Sequence, residues 1–518
     1  RGLGDVYKRQ VINIITDDVK NAINVSSDTR YASKGRFTQS VNIDVNTGKF
    51  GSYTSYRRQQ AEGWQLNPYE ENSKTHELEE TGKVASTGFY ANTVNQKFTF
   101  DATDKLSFYA RGGYYDNKTR RPYEAYDYNI LHETFNYGIG AQYMINKGNY
   151  ITADCYADHF SSSYCFFKDN KTYNGKAGEE QVRKRTRNHN LSIKGIFKLG
   201  NRHKLSVGTE YIVDVLKSQT DNIAKEDAYT LALFAQDEIK LLRNLQALIG
   251  VRYIYHENFK NHATPNVALM YKPGKFNFRA SYAAGFRTPT LSELYATDIA
   301  KKNDRLTIGN LDLKPEKNNY FSLSAEYVHE RFSVSVNAFY NNIRDMIDYN
   351  TIATGDKAME QYGHKEVRQR DNIAEAKVHG INVSANAYLG AGFNLSGGYT
   401  HLNTQDVELE QPIDKSIKNA YNINAQWAHS WKIYRLNINL NGRINSKRFS
   451  KSYGYAPEYQ LWDLNTRHSF NLKSVIIEPG CGMENLFDYM DDRPYNSNYA
   501  TLTPGRSFYI SLSLKFKS

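Results

Sequence analysis

Aromatic and basic side chains cluster in the polar segments of this 518-residue chain: Trp64, Tyr69, Tyr123, Tyr126, Tyr128, Tyr295, Tyr495 and Tyr499, with Arg120, Arg121 and Arg287. Their chemistry is capture. Flat rings and guanidinium planes stack on a large, partly aromatic molecule and ion-pair with it if it is anionic. The same tyrosines would equally serve as the amphipathic girdle of a membrane interface. No catalytic set accompanies them: GxSxG, HExxH and phosphate-binding loops are absent and the 13 His are dispersed. No residue is assigned to catalysis, and the chain is read as a non-enzyme. Its three cysteines show no CxxC spacing. Cys155 and Cys165 fall in one expected strand, about 33 Å apart at about 3.3 Å per residue, too far for a disulfide.

What positions such residues is a long series of alternating segments. Turn-like links stand at Asn46–Lys49, Thr103–Lys105, Asn146–Asn149, Gly200–Arg202, Lys272–Lys275, His329–Arg331 and Gly390–Gly392. Each separates two alternating runs, as a tight hairpin turn does. Longer polar links alternate with them, at about 61–91, 118–132, 166–182, 287–317, 347–371, 403–417, 447–457 and 489–505. Short link, long link, short link is the rhythm of an antiparallel transmembrane barrel with short periplasmic turns and long extracellular loops. Counting the runs predicts an all-β barrel of roughly 22 strands from about Asn24 to Phe516, without a helical segment. The clearest run is the last, where Phe508, Ile510, Leu512, Leu514 and Phe516 alternate with Tyr509, Ser511, Ser513 and Lys515.

Composition agrees with that class. Mean hydropathy is −0.68, and no stretch has the roughly 20 apolar residues of a transmembrane helix. A strand-built membrane protein keeps such a low mean because only alternate residues meet lipid. The 41 Tyr suit membrane interfaces. The net charge of +11 is scattered, which disfavours nucleic acid and fits anionic lipopolysaccharide or an anionic ligand.

Particular motifs resemble the TonB-dependent outer-membrane receptors. Val11-Ile12-Asn13-Ile14-Ile15-Thr16 looks like the closing strand of that family's plug domain. The segment Gly285 to Tyr295 is similar to its FRAP-type box, and Gly309-Asn310-Leu311-Asp312-Leu313-Lys314-Pro315-Glu316 to its NPNL-KPE box. Glu484-Asn485-Leu486-Phe487-Asp488, then Pro504-Gly505-Arg506 and the final strand, resemble its C-terminal signature. These boxes read as architecture: Pro289 and Pro315 bracket a long loop, and Glu484 pairs with Arg506 across neighbouring strands. The resemblance divides the chain into a non-native scar at 1–10, the end of a plug at 11–23 and a barrel at 24–518, most of the plug lying upstream. It implies a Gram-negative outer-membrane receptor that takes up a large scarce nutrient, driven by the TonB-ExbB-ExbD complex through the plug. Outer-membrane lipid and a surface lipoprotein are further implied partners, and no cofactor is required.

Cobalamin and ferric siderophores are the leading ligands. Haem receptors of the family carry a His between the two boxes, absent here from 290–308, and its glycan importers have longer barrels. The run from Tyr114 to Tyr128 is similar to a loop entry of cobalamin receptors, where Asp116, Glu124 and Asp127 would be oxygen ligands for a structural calcium. A passive porin is the alternative outside this class.

Overall fold

The computed structural model describes residues 22–72, 75–300, 304–451, 453–498 and 503–517. The expected scar and nearly all of the 11–23 plug segment lie outside these residues.

Among the described residues the main sheet has 24 strands, two of which are a hairpin carried by a loop; the other 22 run antiparallel, each paired to its neighbour, and two further two-stranded sheets lie in the long links. The first, Ile23–Ala32, pairs with the last, Ser507–Lys517, from Asn24 opposite Lys517 to Ala32 opposite Tyr509. That pairing closes the barrel and leaves it no edge. With an even count, both ends leave by the same rim. All seven predicted short links fall between paired strands. The Ala391–Gly392 turn shows why glycine is needed: Gly392 has φ +86°, and a Cβ there would stand 2.0 Å from the Ala428 carbonyl oxygen.

Alternation in the sequence becomes two faces of a wall. In Ser507–Lys517, Phe508 and Ile510 are 55% and 66% exposed outside, whereas Ser507 and Ser513 are buried toward the lumen. Exposed rings Phe50, Phe100, Tyr271, Phe276, Phe332 and Trp431 flank the short links and circle that rim, as an interfacial girdle does. Replacing Leu512, outward in mid-strand, with Arg should destabilise the barrel by about 2 to 3 kcal/mol in a lipid refolding titration, against almost nothing for Ser511→Asn. Equal losses would mean that the faces are assigned wrongly.

The helix-free expectation is corrected at two points: α1 is Leu291–Tyr295 and α2 is Gly355–Tyr362. The 347–371 loop is also shorter than predicted, because the strands Phe332–Thr354 and Glu366–Gly390 run past the barrel wall. There the loop hairpin Thr297–Ala300/Arg305–Ile308 adds on, with Arg305–Ile308 parallel to Glu366–Gln369. A small apolar cluster holds this extension: Ala353, Ala358 and Val367, with Leu306, Ile308, Ile352 and Tyr362 packed against them.

Candidate functional site

Six of the predicted capture residues come together at the long-link rim. Arg121 and Tyr126 belong to the link 121–127 between Leu106–Arg120 and Tyr128–Asn146. The Arg121 guanidinium lies 3.7 Å from the Tyr126 ring centroid and 5.0 Å from that of Tyr128. Tyr128 starts its strand with the ring turned into the lumen, stacked on Tyr164 at 4.1 Å with planes 22° apart. Tyr173, from the next long link, stands edge-on to both, at 5.8 and 5.2 Å. Arg183 completes the group, 5.4 Å from the Tyr164 ring and 5.0 Å from the Tyr173 ring. Two tyrosines are thus sandwiched between two guanidinium groups.

Neighbouring links extend the surface. Tyr123 stacks on Phe167 at 5.5 Å, with Lys168 Nζ 3.8 Å from its ring. Gly82 packs so closely on the 121–127 link that a Cβ would lie 3.4 Å from Glu124 and Ala125 Cβ. Farther along, the Tyr495 N–H donates to the Tyr69 carbonyl at 2.8 Å. Lys83, 2.6 Å from Glu70, lies 5.6 Å from the Tyr495 ring.

The electrostatics favour an anionic, aromatic guest. Arg121 Nη1 and Arg183 Nε are buried with no hydrogen-bond acceptor in the protein, a costly state for a charged donor and one that an anion would relieve. Burial pushes the phenols of Tyr173 and Tyr495 up, and phenolic or carboxylate neighbours add to it. Both stay neutral, offering ring faces and O–H donors.

The other predicted residues sit elsewhere or do other work. Arg120 is exposed at a strand end, with Nη2 3.4 Å from the Ala61 carbonyl oxygen, and Trp64 bridges to Ser86 at the base of its loop. Tyr295 lies on α1, in a different loop, and Tyr499 lies outside the described residues. Arg287 has all its donors engaged: Nε and Nη2 to Glu316 at 2.8 and 2.6 Å, Nη1 and Nη2 to Glu293 at 2.7 and 3.1 Å, and Nη1 to the Thr288 carbonyl at 3.5 Å. It is a clamp with no N–H left for a ligand. Glu484 pairs with Arg30 and Arg36 rather than with Arg506, because barrel closure brings the first link beside the last long one. The expected calcium ligands are not gathered: Asp116 accepts from Asn92 and Asp127 from Asn170. Among the described residues, no group of three or more His, Cys, Asp or Glu could hold a metal ion.

Closure, girdle and loop-borne site are the features of a known barrel, and the family described as TonB dependent receptor-like, beta-barrel matches residues 31–479. The chain belongs to the TonB-dependent receptor family. Its members are transporters, not enzymes, with barrels set in the Gram-negative outer membrane. Solved structures agree in fold. A variant of the ferric enterobactin receptor of Pseudomonas aeruginosa superposes with a TM-score of 0.81 at 16% identity, covering 97% of this chain and 82% of that one. The siderophore receptor PirA of Acinetobacter baumannii gives 0.76 at 15%, covering 97% and 82%. The copper transporter OprC gives 0.74 at 11%, covering 97% and 81%. At such identities the likeness is one of fold alone.

The rest of this TonB-dependent receptor's candidate site was missed in sequence. Tyr164, Tyr173 and Arg183 come from the strands and link after the Tyr114–Tyr128 run. Their one local signal is the aromatic cluster Tyr164, Phe166, Phe167 and Tyr173.

Proposed function

We propose that this barrel takes up a ferric siderophore with aromatic, anionic iron-binding groups, across the outer membrane, with energy from TonB-ExbB-ExbD delivered through a plug. The observation that carries this reading is the Arg121–Tyr128–Tyr164–Arg183 stack with its two acceptor-less guanidinium N–H groups. Flat catecholate-like rings carrying negative charge meet both demands at once. The solved structures of similar fold include the ferric enterobactin receptor of Pseudomonas aeruginosa, one variant of it in complex with enterobactin, which supports the same ligand class. Cobalamin is the weaker choice, since the calcium set that favoured it does not assemble.

A deletion strain should stop growing when iron is supplied only as a ferric tris-catecholate, and grow normally on abundant iron. Unchanged growth on every limiting ferric chelate would remove the uptake assignment, and uptake that persists without TonB would favour a passive channel.

A further inference from the structure

We infer that Asn170 is a positioning residue of the candidate site: clasped to Asp127, it holds the Tyr173 ring edge-on to the Tyr128–Tyr164 stack and so sets the gap that an aromatic guest enters. This deepens the uptake reading and rests on it for the nature of the guest.

Two links meet at this residue. The link 121–127 carries Arg121 and Tyr126, and the link 167–179, between Asn149–Phe166 and Glu180–Leu199, carries Tyr173. Asn170 uses both ends of its side-chain amide at the junction. Its Nδ2 donates to Asp127 Oδ2 at 2.7 Å, and its Oδ1 accepts the Tyr173 N–H at 2.9 Å. The opposite orientation of the amide would set N–H against N–H and oxygen against carboxylate, so the partners fix it. An ionised aspartate at this position could accept but not donate, and an alanine could do neither.

The surrounding backbone is committed to the same end. Asn170 and Gly175 exchange N–H···O=C bonds of 2.8 and 3.0 Å, closing a turn that carries Tyr173, with Asn174 in the left-handed region at φ 51°. Gly175 lies on the buried Phe166 ring, where a Cβ would stand 2.5 Å from it. Across the junction, the Asp127 carbonyl accepts the N–H groups of Phe167 and Lys168 at 2.9 and 3.1 Å, and Lys168 Nζ donates to the Tyr123 carbonyl. A swing of the turn therefore breaks the junction.

What the clasp aims is Tyr173. Its ring stands 5.8 Å from that of Tyr128 and 5.2 Å from that of Tyr164, at 88° and 70° to their planes, with the Arg183 guanidinium 5.0 Å away. Planes near right angles give a guest a corner of ring faces rather than one flat wall. Holding that corner in shape before the guest arrives removes the ordering cost that a loose turn would impose on binding.

The test is amide exchange and chelate binding of the full chain in detergent, with a ferric tris-catecholate as probe. In Asn170→Ala the Tyr173, Phe167 and Lys168 amides should exchange about tenfold faster or more, and the probe should bind about tenfold more weakly. The reversed pair D127N/N170D exchanges donor and acceptor, keeps both bonds and the net charge, and should restore protection and affinity to within about twofold. In a Tyr173→Ala background, Asn170→Ala should weaken the probe no further, because Asn170 acts through that ring. Unchanged exchange in Asn170→Ala, a reversed pair as weak as Asn170→Ala, or an equal loss with and without the Tyr173 ring overturns the inference. The last of these would make the clasp a brace for the links alone. A wild type and variants with the expected exchange pattern, none of which binds the probe, would uphold the clasp and count against the uptake reading.

Discussion

Arg287→Ala should lower the stability of the barrel by about 3 to 5 kcal/mol, the loss found when one partner is removed from a buried charge network. Glu316 is only 4% exposed and Glu293 14%, so neither carboxylate left behind can recover its hydration. The clamp joins three elements. Arg287 ends its strand, Glu293 sits in α1 within a capping box with Thr290, and Glu316 also accepts the Ile347 N–H at 3.0 Å. The measurement is the denaturant midpoint in lipid or detergent, with Arg287→Ala/Glu316→Ala completing a double-mutant cycle. Coupling should be strong because the residues touch. A single-variant loss below about 1 kcal/mol would show the clamp to be solvated and weak.

Acid should erase part of that difference. Burial pushes the Glu293 carboxyl up, but Arg287 and the Thr290 N–H pull it further down, so it titrates below the ordinary carboxylate range. A depressed folded value means stability that is present above the unfolded value of about 4.3 and lost as pH falls through the folded one. The gap between wild type and Arg287→Ala should therefore narrow as pH falls, and be smallest below about pH 4.

How far the sequence carries depends on what each residue faces. Wall strands were legible because lipid and lumen impose opposite demands on adjacent residues, as in Phe508 to Phe516. That signal fails once a hairpin leaves the wall. From Arg344 to Asp371 polar residues fall on both faces, so strands that continue to Thr354 and resume at Glu366 read as loop. Helix α1 left a readable mark, Thr290 with Glu293 three residues on, the spacing of a capping box. Residues paired through barrel closure left none. Nothing local to Glu484 indicates Arg30 and Arg36, which reach it only because the first strand lies against the last. The candidate site divides the same way: the Tyr114–Tyr128 run points to Arg121, Tyr126 and Tyr128, while Arg183, in a strand of ordinary alternation, joins them only where Tyr164 and Tyr173 meet it.

Arg121→Ala/Arg183→Ala should weaken binding of a ferric tris-catecholate by about 3 to 5 kcal/mol, a loss of roughly 150- to 5,000-fold in affinity. Each guanidinium contributes a charge-assisted hydrogen bond from a buried N–H with no acceptor in the protein, and such bonds are worth about 1.5 to 3 kcal/mol apiece. The alternative is that both arginines only brace the rings. Bracing predicts that Arg→Ala disorders Tyr128 and Tyr164 and weakens every guest alike, charged or neutral. Capture predicts a loss confined to anionic chelates, near-normal barrel assembly, and partial rescue by lysine, which restores charge but not the planar fork. Tyr128→Phe should then bind almost normally and Tyr128→Ala poorly, because the ring face carries the stacking. Binding should also hold steady from about pH 6 to 9, since Tyr173 and Tyr495 are pushed up and stay neutral. A calorimetric titration that finds the double variant binding anionic and neutral chelates with unchanged affinity would place the ligand on another part of the rim.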